Sequence, residues 1–135
     1  MAGYSGTPLL KKLGIKPGFK MMVVHAPPNY AKLLGKLPDG TRMTSSLKEP
    51  LDFIHFFTKN RQEYEKRLPE LRRAILPNGM IWVSWPKAAS QVPTDVTESV
   101  IRRYALKTGL VDIKVCAVND TWSGLKLVIP VKDRK

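Results

Sequence analysis

Apolar residues fall in three kinds of pattern along the chain. Met21-Met22-Val23-Val24, Leu51-Asp52-Phe53-Ile54-His55-Phe56-Phe57 and Met80-Ile81-Trp82-Val83 are short, nearly unbroken runs. Runs of that length and apolarity are strands buried on both faces. Tyr64, Leu68, Leu71 and Ile75 recur at helical spacing, as do Val96, Val100, Ile101, Tyr104 and Ala105. Each set makes one apolar face of a helix. Val111, Ile113, Val115 and Ala117 alternate with Asp112, Lys114 and Cys116, which predicts a strand near a sheet edge with its polar side exposed.

Punctuation residues set the boundaries. Residues 1–10 contain Gly3, Gly6 and Pro8 and read as a loose arm. Leu9, Leu10 and Leu13 suit a short helix ended by Gly14. The first strand, Phe19 to Val24, stops at His25, and Pro27-Pro28 forces an extended connection. Asn29 is placed to cap a helix through Leu34, with Gly35 closing it. Residues 36–50 read as loop, with a weak strand around residue 42. The second strand, Leu51 to Phe57, leads to Asn60, whose partner Glu63 completes a capping box for a helix to about Leu76. Pro69 predicts a kink or break in that helix. Pro77-Asn78-Gly79 marks a turn into the third strand, 80–85. Pro86 to Thr94 is loop, Asp95 with Glu98 is a second capping box, and Gly109 ends the last helix. Asn119 to Gly124 has turn chemistry, Leu125 to Val131 is the last strand, and 132–135 is a tail.

Strands alternating with helices predict one α/β domain over 1–135. Its minimal Rossmann-like sheet is mostly parallel, of about five strands with helices on both faces and a C-terminal antiparallel hairpin. Ligands of such sheets bind beyond the carboxyl ends of the strands. Polar groups collect there: His25, Asn29 and Tyr30 after the first strand; Thr58 and Lys59 after the second; Ser84, Trp85, Lys87 and Ser90 after the third; Asp120, Trp122 and Ser123 in the hairpin loop. Lys87 and Lys59 would supply charge, the indoles stacking, and Ser84, Thr58 and Asn29 hydrogen bonds.

Charge sharpens this picture. Against 11 acidic residues stand 23 Lys and Arg, for a net charge of +12, so phosphorylated small molecules or nucleic acid are suitable partners. Lys59, Arg61, Lys66, Arg67, Arg72 and Arg73 load one helix, interleaved with Glu63, Glu65 and Glu70, which is also the pattern of a solvated face. One cysteine, Cys116, excludes an intrachain disulfide and reads as a packed thiol. The two histidines have neither Cys nor Asp/Glu at metal-ligand spacing. His55, inside a strand, reads as a hydrogen-bonded core residue, whereas His25 has no obvious carboxylate beside it. A Ser84–His25–Asp120 triad lacks the Gly-x-Ser-x-Gly setting of a nucleophile elbow. With no apolar signal core and no membrane span, a cytoplasmic protein is expected.

Two resemblances follow. Lys16-Pro17-Gly18-Phe19-Lys20-Met21-Met22-Val23-Val24, Leu76-Pro77-Asn78-Gly79-Met80-Ile81-Trp82-Val83 and the closing stretch from Leu110 to Ile129 resemble a class I methyltransferase with its middle removed. That resemblance implies a last strand inserted between the third strand and its hairpin partner, with Trp122 and Ser123 beside Trp85 and Lys87. The chain departs from the family where Pro27-Pro28 stands in place of the Gly-rich loop, and residues 36–50 are too short for the segment that holds the cofactor's ribose. No cofactor is therefore expected. Ser84-Trp85-Pro86-Lys87-Ala88-Ala89-Ser90, Thr94-Asp95-Val96-Thr97-Glu98, and Gly109 to Val118 through Thr121-Trp122-Ser123-Gly124-Leu125-Lys126 resemble a small bacterial family, a domain of unknown function. It covers nearly the whole chain and implies no activity.

Three functions remain open: a non-catalytic module for a small anionic or nucleotide-like ligand at the strand ends, a divergent enzyme of methyltransferase-like fold, or a basic nucleic-acid-binding adaptor. A sheet shortened in this way also predicts an exposed edge on the first strand, open to a second copy of the chain.

Overall fold

The computed structural model describes residues 8–134. Its elements are α1 (Leu9–Leu13), β1 (Lys20–Val24), α2 (Tyr30–Leu34), β2 (Arg42–Met43), β3 (Leu51–Phe57), α3 (Arg61–Ala74), β4 (Ile75–Pro86), α4 (Glu98–Lys107), β5 (Val111–Ala117) and β6 (Trp122–Val128). They build one six-stranded sheet in the order β2-β1-β3-β4-β6-β5. β2, β1, β3 and β4 run parallel, and β6 is antiparallel to both β4 and β5. The mixed α/β class and the insertion of β6 between β4 and its hairpin partner agree with the sequence reading.

Strand alternation divides the core between the two sheet faces. Ile54, Phe56, Ile81, Val83 and Trp85 face α3 and α4, meeting Tyr64, Leu68, Leu71, Ile101 and Ala105. Phe53, Phe57, Met80 and Trp82 face α1 and α2, meeting Leu9, Leu13, Tyr30 and Leu34. The fully buried Trp82 indole donates to the Leu13 carbonyl (2.9 Å), fastening α1 to the sheet. Helices thus cover both faces, and the carboxyl ends of β1, β3 and β4 share one rim with the β5–β6 turn.

Several boundaries differ from expectation, each for a local reason. The expected arm over 1–10 lies outside the described residues up to position 7, and Leu9 and Leu10 are already helical. Asn78-Gly79 makes no turn between helix and strand. β4 begins at Ile75, and its pairing with β3 steps from Leu51↔Ile75 to Phe53↔Met80, so Leu76–Gly79 bulges out of the ladder. Gly79 is needed there, because a Cβ would sit 2.9 Å from the Leu51 carbonyl oxygen. α3 runs through Pro69 without a break. The ring removes one hydrogen bond, but Glu65, whose carbonyl loses its partner, is only half-buried, and the face formed by Tyr64, Leu68 and Leu71 stays fully packed.

Asp95 does not cap α4. Thr97 does so, its hydroxyl accepting from Val100 N–H (3.2 Å), while Asp95 Oδ1 accepts from Arg61 N–H (2.7 Å) and so serves the first turn of α3. The Asn29 side chain makes no capping bond on α2. β6 starts at Trp122, not Leu125, because Asn119 Oδ1 accepts from the N–H groups of both Thr121 and Trp122 (2.9 and 2.8 Å) and closes the loop early. It ends at Val128, and Val131 lies in a short 3-10 turn. β5 is an edge strand as predicted, but Ile113 and Val115 are 56% and 47% exposed. A register shift between Asp112 and Lys114 inserts Ile113 as an extra residue and reverses the faces beyond it. The outer edge of β1 is taken at Lys20 and Met21 by β2.

Candidate functional site

A cleft of about 340 Å³ opens where β1 and β3 end. Phe57, Thr58, Lys59 and Asn60 line it from the end of β3, His25 from the end of β1, Glu63 from the first turn of α3, and Trp122 from the start of β6.

His25 leaves β1 with φ +58°. For a residue with a Cβ this left-handed conformation costs of order 1–2 kcal/mol, and it turns the chain sharply before Pro27-Pro28. The imidazole then lies 6.4 Å from the Phe56 ring, with Nε2 2.9 Å from Glu63 Oε2. Glu63 does not fold back on Asn60 as a capping box requires. Its Oε1 accepts from the Thr58 hydroxyl (2.7 Å), and Thr58 Oγ1 takes the Asn60 N–H instead (3.2 Å). Asn60 still caps, its Oδ1 accepting from Glu63 N–H (2.9 Å). One carboxylate is thereby held by a hydroxyl on one oxygen and an imidazole on the other. A carboxylate offers about four lone-pair positions, so further acceptor capacity faces the cleft.

Phe57 is 1% exposed and forms the apolar floor. The Trp122 ring stands edge-on to it, with centroids 5.1 Å apart at 87°. Beneath Phe57, stacked on it at 4.2 Å and 24°, is the His55 ring. Its Nδ1 pairs with Tyr30 Oη (2.8 Å) and its Nε2 with Ser84 Oγ (2.7 Å). Burial pushes the His55 pKa down from 6.5 to about 3, because no opposite charge compensates the lost water. Burial likewise raises the Tyr30 phenol. The Tyr30–His55–Ser84 relay is therefore neutral at physiological pH and acts as the polar support under the cleft floor. Gly124 leaves it room: a Cβ there would lie 3.2 Å from the Trp82 ring and 3.3 Å from Ser84 Oγ.

Of the residues expected at the site, His25, Thr58, Lys59 and Trp122 come together in the cleft. The others do not. Tyr30 and Ser84 belong to the buried relay, so Ser84 pairs with His55 and no Ser84–His25–Asp120 triad forms. Trp85 packs in the core on the α3 face of the sheet, while Trp122 packs on the α1 face. The β4–β6 register sets Trp85 opposite Ser123 and Pro86 opposite Trp122, which puts the two indoles on opposite faces. Lys87 is half-buried and donates its N–H to the Thr121 carbonyl (2.7 Å). Ser90 bonds within its own turn, to Lys87 O and from Val92 N–H. Asn29 is exposed, Asp120 sits exposed at the hairpin tip, and the Ser123 hydroxyl reaches Cys116 O at 3.4 Å. Burial raises the Cys116 pKa, as expected for a packed thiol.

Phe57 and Glu63 are cleft residues that the sequence places elsewhere, in the strand and in the helix cap, while Asn60 lies both at the rim and at the cap. Glu63 had a usable signal. It lies in the first turn of a helix that leaves a strand end directly, so it projects at the rim, and it supplies the carboxylate that His25 was read as lacking.

No protein-family model matches the chain, and no curated protein matches it in sequence. Solved structures do match. An S-adenosylmethionine-dependent methyltransferase of Aquifex aeolicus superposes with a TM-score of 0.63 at 16% identity, over 90% of this chain and 88% of that one. The fold is methyltransferase-like. Fibrillarin of Aeropyrum pernix, with natively bound S-adenosyl-L-methionine, gives 0.61 at 12% identity over 90% and 72% of the two chains. Magnesium protoporphyrin IX methyltransferase of Synechocystis PCC 6803, with bound S-adenosylhomocysteine, gives 0.57 at 9% over 90% and 78%. At these identities the likeness is one of architecture, in agreement with the strand-order argument from sequence. Among the described residues no helix is long and apolar enough to cross a membrane.

Proposed function

We propose that the protein is a non-catalytic module that binds a small anionic, nucleotide-like ligand in the rim cleft. One observation carries this reading: an ammonium (Lys59), a carboxylate held in place by Thr58 and His25 (Glu63), and an aromatic wall (Trp122 with Phe57) line the same cleft. Each matches one part of a nucleotide. A flat base packs on the aromatic wall, ribose hydroxyls donate to Glu63, and a phosphate pairs with Lys59. A volume of about 340 Å³ is at the small end of the roughly 300–1,000 Å³ range of ligand sites.

A second reading, methyl transfer from S-adenosylmethionine, is favoured by the fold and by the cofactors bound in the neighbouring structures. Calorimetry separates the two. Titration with AMP, ATP, S-adenosylmethionine and S-adenosylhomocysteine should give saturable heat with at least one nucleotide-like compound, lost in Trp122→Ala. Heat with S-adenosylmethionine alone, together with turnover, favours the second reading. No heat with any of them contradicts both.

A further inference from the structure

The helix that carries the densest run of basic residues in the sequence has part of its charge paired with its own acids. On α3, Arg61 pairs with Glu65 (2.9 Å) and Arg67 with Glu70 (2.6 Å), and Arg72 lies at 3.4 Å from the Gly109 carbonyl. The contrast is on the α1 side of the β5–β6 hairpin. There Lys114 and Lys126 are register partners on adjacent antiparallel strands. Lys114 Nζ donates to the Lys12 carbonyl (3.3 Å), and Lys126 Nζ lies 3.8 Å from where a Gly14 Cβ would be. Both ammonium groups therefore sit against the carbonyl end of α1. Lys16, three residues beyond Leu13, adds a third charge. Its field and that of Lys114 act on Lys126, whose pKa is lowered first by burial and then by these two neighbours.

Like charges directly opposite on one face of a sheet are destabilising. Here they are not answered by acid: the ion-paired carboxylates of the described residues, Glu49, Glu63, Glu65, Glu70, Glu98 and Asp112, engage Lys20, His25, Arg61, Arg67 and Arg102. Neutralising the carbonyl end of a short helix takes one cation in its last turn, and α1 has Lys11 and Lys12 there already. A partly buried ammonium held beside two others is an arrangement that a multiply charged anion relieves.

We propose that Lys16, Lys114 and Lys126 form a binding site for clustered phosphate oxygens, separate from the rim cleft. Lys126 lies opposite Trp82 in β4, four residues back from Pro86 at the rim, so the two sites stand or fall independently. The shared chemistry has two sources, a free polyphosphate and the phosphodiester backbone of a nucleic acid. The test is titration of the full chain with inorganic tripolyphosphate and, separately, with a short single-stranded RNA. The K114Q/K126Q double variant and a Lys66→Gln control on α3 are titrated alongside. The double variant should bind at least about tenfold more weakly, with Lys66→Gln close to wild type. Without anion the double variant should also melt above wild type, because the repulsion is gone. Binding of tripolyphosphate alone identifies a small polyanion, and RNA binding whose salt slope falls in the double variant identifies the backbone. If neither probe binds, or if Lys66→Gln weakens binding as much as the double variant, the site does not exist.

Discussion

The buried imidazole of His55 makes the fold sensitive to acid in a defined window. His55 holds its proton in the unfolded chain up to about 6.5, but in the folded chain only below about 3. Between those values the unfolded state binds more protons, so stability is complete above pH 6.5 and is lost as pH falls toward 3. The slope is about 1.4 kcal/mol per pH step. From pH 6.5 to pH 4 the loss is thus about 3 kcal/mol, a large part of the roughly 5–15 kcal/mol that holds a domain folded. For 135 residues it lowers Tm by about 10 °C. The perturbation is His55→Gln, whose amide can accept from one hydroxyl and donate to the other but does not titrate. Melting curves of both proteins from pH 8 to pH 4 give the assay, and their difference cancels the other titrating groups. The wild type should fall by about 10 °C relative to the variant across this range. Parallel curves would mean that His55 does not carry the acid sensitivity. Should the variant not fold, the His55 ring-proton NMR shift in the wild type still decides, because movement near pH 6 would show a ring that protonates freely.

Three further outcomes are expected. His25→Gly should leave stability within about 1 kcal/mol of wild type, since relief of the left-handed backbone offsets the lost contact with Glu63, whereas His25→Val should cost about 2 kcal/mol in chemical denaturation; equal costs would mean that the left-handed backbone at His25 stores no strain. Gly124→Ala should destabilise by about 1–3 kcal/mol because its methyl presses on the Trp82 ring and Ser84 Oγ, and a neutral result in urea unfolding would mean that the relay has slack. Asp95→Ala should cost about 1 kcal/mol through loss of a cap on α3, read as faster amide exchange at Arg61 rather than in α4.

The fold was legible because its signals are local. The apolar runs of β1, β3 and the middle of β4 are too short for helices, and the stripes of α3 and α4 have the helical period, so the order of elements and a mostly parallel sheet follow. The closing hairpin was legible from Asn119-Asp120, and the position of β6 from the resemblance of the chain's ends to methyltransferases. Register was not legible. The bulge at Leu76–Gly79 depends on a glycine approaching Leu51 O, and the extra residue at Ile113 depends on how β5 meets β6; neither leaves a mark in the alternation of residue types. The same limit shaped the site reading. Strand ends could be named, but a one-residue difference in facing decides whether Trp85 or Trp122 lines the cleft, and Ser84 faces inward to His55 for that reason. Asn60 caps the helix that its position implies, but Asp95 serves α3 and not α4, because the N–H it accepts from is 34 residues away. The pairing of Arg61 with Glu65 and of Arg67 with Glu70 follows from helical spacing, whereas the meeting of Lys114 with Lys126 depends on the β5–β6 register and leaves no mark in the sequence.

Lys59 and Trp122 are the two residues through which the rim cleft is proposed to bind a nucleotide-like ligand. The most direct test of this binding is a thermal-shift series of AMP, ATP, S-adenosylmethionine and S-adenosylhomocysteine on wild type, Lys59→Ala and Trp122→Ala. A ligand at 100 times its Kd should add about 2.7 kcal/mol, or about 10 °C here. Such a shift is expected with at least one of these compounds, and should disappear in both variants. No shift in the wild type, or a shift that survives both substitutions, would contradict binding at this cleft.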